Sequence, residues 1–343
     1  GQVRFTTTEL GELESRIASA GARPAPSTAA LPHNPDMPPV TVLIVAWNQL
    51  AKTLDCLATV AALDYPDFRV LLVDNGSEPP LAEAIAARFP DVATLRLPGN
   101  LGFAGGYNAG LRQGLAGDGR YFLLLNNDTL LEPDVLSKLV AEIERAAGIG
   151  LVTAKIYYAA DRQRIWTVGA NLNVFLDLKE GGGGQIDTGQ WDSPRDIDFA
   201  PFCALLIRRE VLEEVGLLDE GFFLYYEDMD YCRRAKAAGW RVRLCPSAHV
   251  YHDVSASSGG RDSPMERYWM AQSSGRYFRK HGRGLRLLLI IPFRLASAIK
   301  MTARLLVQGK HEALRAYWSG LIIGWRTGRA TTPPKAKRAI EST

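Results

Sequence analysis

The chain has 343 residues, of which 47% are hydrophobic and 22% charged, and its formal net charge is +3. That is the composition of an ordinary folded protein, and it excludes a disordered chain, a collagen-like repeat and a small disulfide scaffold. The longest apolar run, near Leu287–Phe293, is broken by Pro292; a spanning helix needs about 20 apolar residues, so no transmembrane helix is expected.

The small net charge hides an asymmetry. Residues Arg261 to Thr343 carry a net +13, and the rest carries −10. A basic tail on an acidic body calls for an anionic surface as partner. Cys56, Cys203, Cys232 and Cys245 include no C-x-x-C pair. Zinc and redox motifs are therefore not indicated, and buried reduced thiols of a cytosolic protein are expected. No signal peptide is visible, and Gly1 stands where an initiator Met would, so the start reads as that of a trimmed chain or fragment.

Residues 1–39 read as a separate segment. Thr8–Ala20 fits a short polar helix, and the six prolines of Arg23–Pro39 fit a linker or strap. The body opens with Val40–Ala46, an apolar β-branched run that fits a strand buried on both faces. Helix spacing follows over Thr53–Leu63. A second strand, Arg69–Val73, stops at the turn signal Asp74-Asn75-Gly76-Ser77. Leu81, Ile85 and Phe89 mark a helix, Ala93–Leu97 a third strand, Asn108–Leu115 a helix and Tyr121–Leu125 a fourth strand. Pro133 opens a helix with Val135, Leu136, Leu139, Val140 and Ile143 on its buried stripe. This alternation predicts a mostly parallel sheet covered by helices on both faces. Ligands of such sheets bind beyond the carboxyl ends of the strands, where Asn48, Asp74 and Asn126–Asp128 fall.

The second half is mixed. Glu180–Gly184 reads as a mobile glycine-rich loop, Phe199–Ile207 as a strand, and Val211, Leu212 and Val215 as a helix. Tyr225-Tyr226-Glu227-Asp228 leads into a helix that stops near Gly239, and Val242–Leu244 is a short strand. From Glu266 on, the pattern is helical and basic.

Four segments carry candidate chemistry. Leu123–Leu125 ends abruptly in Asn126-Asn127-Asp128, three oxygen-bearing side chains suited to a hard cation shared with substrate phosphates, or to a simple turn. The stretch Asn100–Gly110 holds four glycines that allow close approach to a phosphate or ribose, or close packing of a helix on the sheet. It lacks the G-x-G-x-x-G spacing of a dinucleotide fingerprint. Glu227-Asp228-Met229-Asp230 places more acids at a helix start than capping requires, as a general base needs. Finally, His252 in Tyr251-His252-Asp253 becomes a plausible metal ligand if it meets Asp128 across a cleft.

Together with Ala46-Trp47-Asn48, Val73–Ser77 and the block from Pro201 to His252, these segments resemble the family 2 glycosyltransferases of the GT-A fold, in particular the non-processive, rhamnosyltransferase-like members. The resemblance covers roughly Val40 to Ser258 and implies a GT-A catalytic domain over 40–265, followed by a basic amphipathic helical region over 266–343. It also implies roles. Trp47, Asn48, Asp74, Asn75, Gly102, Phe103, Gly105, Asn108, Asn126 and Asn127 would surround the nucleotide-diphosphate sugar. Asp128 and His252 would hold Mg²⁺ or Mn²⁺. Asp228, with Glu227 as its neighbour, would be the catalytic base. Asn126 stands where the family has the first Asp of Asp-x-Asp, which removes one carboxylate. Arg261 and Arg267 would help to neutralise phosphate. The implied reaction is inverting transfer of a sugar, rhamnose being the family's pointer, to a saccharide or lipid-linked acceptor in bacterial surface polysaccharide synthesis. A catalytically inactive GT-A scaffold at the membrane is the competing reading. Processive members carry Gln-x-x-Arg-Trp; Gln272–Tyr277 has different spacing and no Trp, so one or a few sugars per acceptor are expected.

In the tail, Arg294, Ser297, Lys300, Arg304 and Gln308 share one helix face, away from Leu295, Ile299, Leu305 and Leu306. Tyr317, Trp318 and Trp325 follow. This fits a basic amphipathic helix on the inner face of a cell membrane, as a peripheral protein. Packing on the catalytic body or in a homodimer is the other reading. No nucleic-acid module is present, so no nucleic-acid partner is expected.

Overall fold

The computed structural model describes residues 37–254, 262–282 and 284–327. The expected helix Thr8–Ala20, nearly all of the proline-rich stretch, and Arg261 lie outside these residues.

The strands β1 (Val40–Ala46), β2 (Phe68–Asp74), β3 (Ala93–Arg96) and β4 (Tyr121–Asn126) form a parallel set in the order β3-β2-β1-β4. Helices α1 (Leu50–Ala61), α2 (Ala82–Arg88) and α3 (Gly102–Leu115) connect them. Alternate residues of each strand feed opposite faces. Val42, Ile44, Leu123 and Leu125 pack on one side with Cys56 and Leu57 of α1, while Leu43, Phe122 and Leu124 pack on the other with Leu111 of α3. Each fully buried side chain of this size contributes about 1.5–3 kcal/mol. This double burial explains why the strands read as unbroken apolar runs.

Beyond β4 the sheet changes direction. A short β5 (Thr129–Leu131) and helix α4 (Val135–Ile143) precede β6 (Ile149–Tyr158) and β7 (Asp161–Thr167). After them come a small hairpin of β8 (Ala170–Leu172) and β9 (Leu178–Glu180), then β10 (Arg195–Ile197), β11 (Ala204–Arg208), α5 (Arg209–Val215), α6 (Glu227–Ala237) and β12 (Arg241–His252). Strand β11 runs antiparallel between β4 and β6, and β12 lies parallel to β6. The ten-stranded sheet is thus mixed, with its parallel order confined mainly to the first four strands.

Several expected boundaries shift. The strand expected at Val242–Leu244 is a 12-residue strand reaching His252. The helix expected at Asn108–Leu115 starts six residues earlier, at Gly102, so the glycines lie within α3. A Cβ on Gly106 would stand 2.8 Å from Val45 Cγ1, and one on Gly110 would stand 2.9 Å from Val73 Cγ2. These glycines let α3 lie close against β1 and β2. The loop expected at Glu180–Gly184 is held down: Gly181 and Gly182 pack on the Trp191 ring, and Gly184 donates to the Ile165 carbonyl.

Three helices finish the described chain: α7 (Pro264–His281), α8 (Leu287–Val307) and α9 (His311–Thr327). Ser263 caps α7 by accepting the Glu266 amide, and Pro264 starts it with the φ a first turn needs. Helix α7 is largely buried. Gly320 and Gly324 bring α9 onto the α7 backbone at Tyr268 and Gln272. All four cysteines are buried and free, and no helix among the described residues is long and apolar enough to cross a membrane.

Candidate active site

The register of the sheet gathers the candidate residues. Ala46 pairs with Asp74, and Val45 with Asn126, so β1, β2 and β4 end at one level. Strand β11 starts at the same edge, where Asn126 N donates to the Cys203 carbonyl. His252 pairs with Thr129, and Asp253 N donates to the Asp128 carbonyl, which fixes the end of β12 beside the Asn-Asn-Asp turn.

There the two expected metal ligands meet. Asp128 Oδ1 and His252 Nε2 lie 3.2 Å apart, both side chains nearly buried. Neither Asp128 Oδ1 nor His252 Nδ1 has a hydrogen-bond partner. Two ligands of an octahedral ion, each at 2.0–2.1 Å, stand about 3 Å apart when adjacent, so the pair fits a divalent cation. Among the described residues no group of three His, Cys, Asp or Glu side chains could enclose one. Donor phosphate and water would have to complete the shell, as is usual for Mg²⁺. Trp166 packs edge-on to the His252 ring at 4.6 Å, and Lys52 Nζ holds Asp253 at 2.6 Å.

The three acids of α6 separate by environment. Asp230 is fully buried among Arg234, Lys280 and His281, and these partners hold its carboxyl far below the usual range. It anchors α6 to α7. Glu227 is buried with Oε2 unpaired, and desolvation followed by the charges of Asp228 and Asp230 pushes its carboxyl well above the ordinary value. Asp228 is part-exposed; burial pushes its carboxyl up to about 7, against the lowering pull of the Met229 amide that Oδ1 accepts at 2.8 Å. A base poised near neutrality suits proton abstraction. Tyr225 and Tyr226, immediately before these acids, both have left-handed backbones, φ 70° and 67°. Two successive non-glycine residues there store strain, which is common at functional sites.

Asp128 and Asp228 face a common neighbourhood. After burial, their charges are the main influences raising the Cys203 thiol. Burial above all raises the Tyr107 phenol, whose hydroxyl donates to Asn126 Oδ1 at 3.4 Å.

Other expected site residues are engaged in the scaffold. Asp74 is fully buried; its carboxylate accepts from the Ser77 and Leu81 amides and from Arg96. It shapes the turn and presents no open face to a ribose. Asn75 ties that turn to Asn100, Leu101 and Gly102. The amides of Gly102 and Phe103 are taken by Asn100 and by the Phe223 carbonyl, leaving neither to cradle a phosphate. Gly105 abuts the Leu101 side chain. Asn108 is buried against the backbone of Leu218 and the carboxylate of Glu220, so it clamps a loop rather than lining a cleft. Asn127 donates to Thr53 Oγ1 at 3.0 Å. Arg267 is committed to Glu266 and Asp262, not free for phosphate. Asn48 stays exposed with φ 56°, Trp47 is half-buried beside it, and Phe103 is half-buried against Tyr107. Sequence reasoning missed Tyr107, Trp166, Lys52 and the Tyr225-Tyr226 bend.

The profile of the family described as "Glycosyltransferase like family 2" matches residues 38–271. The chain belongs to that family. Among relatives of this glycosyltransferase, an uncharacterized protein y4gI of Sinorhizobium fredii is 30% identical over 59% of the chain, and the match spans 23% of that longer relative. The N-acetylglucosaminyl-diphospho-decaprenol L-rhamnosyltransferase of Mycobacterium tuberculosis is 28% identical over 60% of the chain and 73% of the relative. Two solved structures share the GT-A fold at 16% identity. One is the Pyrobaculum calidifontis mannosyltransferase PcManGT with GDP-Man and Mn²⁺, with a TM-score of 0.53 over 98% of the chain and 88% of the neighbour. The other is GalNAc-T7 with UDP, GalNAc and Mn²⁺, with a TM-score of 0.57 over 81% of the chain and 57% of the neighbour.

Proposed function

We propose that this glycosyltransferase moves a sugar, rhamnose being the leading candidate, from a nucleotide-diphosphate donor to a hydroxyl of a saccharide or lipid-linked saccharide acceptor, with inversion and with a divalent metal. The observations that carry the reading are Asp128 and His252 at 3.2 Å at the sheet edge, with Asp128 Oδ1 and His252 Nδ1 unpaired, and Asp228 at the start of α6 with its carboxyl pushed up to about 7. The sugar is suggested by the name of the M. tuberculosis relative, which also names its acceptor as N-acetylglucosaminyl-diphospho-decaprenol, a lipid-linked sugar.

Asp228 Oδ takes the acceptor hydroxyl proton as that oxygen attacks the anomeric carbon. The bond from that carbon to the diphosphate oxygen breaks on the opposite face, and the nucleoside diphosphate leaves with the electron pair. Asp128 and His252 would hold the Mg²⁺ or Mn²⁺, which when bound supplies charge neutralisation for the leaving diphosphate. Glu227, kept protonated by burial beside Asp228, leaves Asp228 as the ionised acceptor of the proton. The left-handed pair Tyr225-Tyr226 sets the direction in which α6 presents Asp228. A lipid-linked acceptor places the enzyme at a membrane surface.

The test is a thermal-shift panel of nucleoside diphosphates and nucleotide sugars, with and without Mn²⁺. Selective, Mn²⁺-dependent stabilisation by one base supports the reading. No stabilisation by any nucleotide leaves the inactive-scaffold reading in its place.

A further inference from the structure

Helix α8 is turned opposite to the sense its charges suggest. Arg294 lies over the Phe278 ring at 4.4 Å and donates to Ser274 Oγ, while Arg304 pairs with Asp262. Both face the protein, together with buried Ile290, Ala298 and Leu305. The face turned outward is apolar: Leu288 (69% exposed), Leu295, Ile299 (68%) and Leu306. Their spacing of 7, 4 and 7 residues places them within about 20° of one line along the helix, roughly 27 Å long.

Helix α9 continues this surface. Arg315, Trp318, Ile322 and Arg326 recur at helix spacing and are exposed, so an aromatic and a branched residue sit between two arginines. Trp318 Nε1 donates to Thr302 Oγ1 of α8 at 3.1 Å, which joins the two stripes. Lys300 is exposed on α8 to one side of the stripe, and Arg286 is exposed in the turn just before the helix. From Arg267 through Lys310 the sequence has ten Lys or Arg and no Asp or Glu.

We infer that the outward face of α8 and α9 is one docking surface for an anionic lipid bilayer. Leu288, Leu295, Ile299 and Leu306 enter the interface, Trp318 sits at headgroup level, and Arg286, Lys300, Arg315 and Arg326 meet the headgroups. An apolar stripe of this size is not left in water without cost. The rim is predominantly basic, with Glu312 in the first turn of α9 as an exposed acid; it matches an anionic partner, and the Trp with flanking arginines matches the chemistry of a bilayer interface. A second copy of the chain would bring the same basic rims together. The inference deepens the lipid-linked-acceptor reading and rests on it for its purpose, but the surface can be tested without any sugar transfer.

The experiment is flotation of the full chain with phosphatidylcholine vesicles containing or lacking phosphatidylglycerol, across salt concentrations. The variants are the double substitution Ile299→Asp with Leu306→Asp, and the double substitution Lys300→Glu with Arg315→Glu. The native protein should float with anionic vesicles, and the first variant should need about tenfold more lipid or worse at every salt concentration. The second should lose binding mainly at low salt. Because these side chains are exposed, circular dichroism should be unchanged. Should a variant misfold, quenching of Trp318 by brominated lipid in the native protein, absent in Trp318→Phe, makes the same test. Equal flotation of native and Ile299→Asp/Leu306→Asp proteins overturns the inference. So does a native protein that never floats but forms a dimer, by light scattering, that the same substitutions break. A protein that floats as expected yet transfers no sugar would sink the catalytic reading and leave the surface standing.

Discussion

Replacing Asp228 by Asn should both disable and stabilise the enzyme. The Asn side chain keeps an oxygen for the Met229 amide but cannot take a proton. If Asp228 is the base, turnover should fall by roughly 10²-fold or more. The native kcat/KM should rise with pH through about 7, where the carboxyl ionises. The stability effect follows from the same shift. The folded value lies above the ordinary 3.8, so the contribution to stability is fully present below that pH and is lost as pH rises through about 7. The full shift corresponds to about 4 kcal/mol. Solvent screening of a part-exposed group reduces this to about 2 kcal/mol, or a Tm about 4 °C higher for the variant above pH 7. The advantage should grow from pH 4 to 7 and then level off. Differential scanning fluorimetry across pH, beside a transfer assay, reads both. Near-native turnover, or a variant no more stable than the native protein at pH 8, refutes the reasoning.

Other outcomes follow from the same geometry. Asp128→Ala should abolish, and His252→Ala weaken, Mn²⁺-dependent binding of the nucleoside diphosphate in calorimetry; unchanged affinity in both removes the metal pair from the account. Asn108→Ala leaves the Leu218 backbone groups without partners and should cost about 1–3 kcal/mol in urea unfolding, while the nucleotide dissociation constant moves little. Gly110→Ala forces a methyl against Leu43 and Val73 and should destabilise the fold by about 1–3 kcal/mol; a neutral result would mean α3 can lift from the sheet freely.

The strand ends were legible because apolar runs buried on both faces stop sharply at polar residues, as at Asn126 and Asp74. The same rule hid β6: Ile149–Tyr158 includes a glycine and Lys155, whose charge is buried against Asp187 and Asp192 supplied from a distant loop. The glycines of α3 were ambiguous in sequence, since close approach to a ligand and close approach to a sheet need the same residue. Only Val45 and Val73, brought alongside by folding, decide for packing. In the tail, periodicity separated the basic stripe from the apolar one but not inside from outside. Asp262 and Phe278, contributed by other segments, turn Arg304 and Arg294 inward. Among the three acids of α6, Asp230 could be told from Asp228 only once Lys280 and His281 were seen against it.

The central claim is inverting transfer with Asp228 as base and Asp128 and His252 at the metal. The most direct measurement is the anomeric configuration of the first-formed product, followed by NMR from a donor of known configuration, with Mn²⁺ and with a chelator. The account predicts a product of opposite configuration, formed only with metal and absent with Asp228→Asn. A product of retained configuration, or one formed equally well with chelator or with Asp228→Asn, would contradict it.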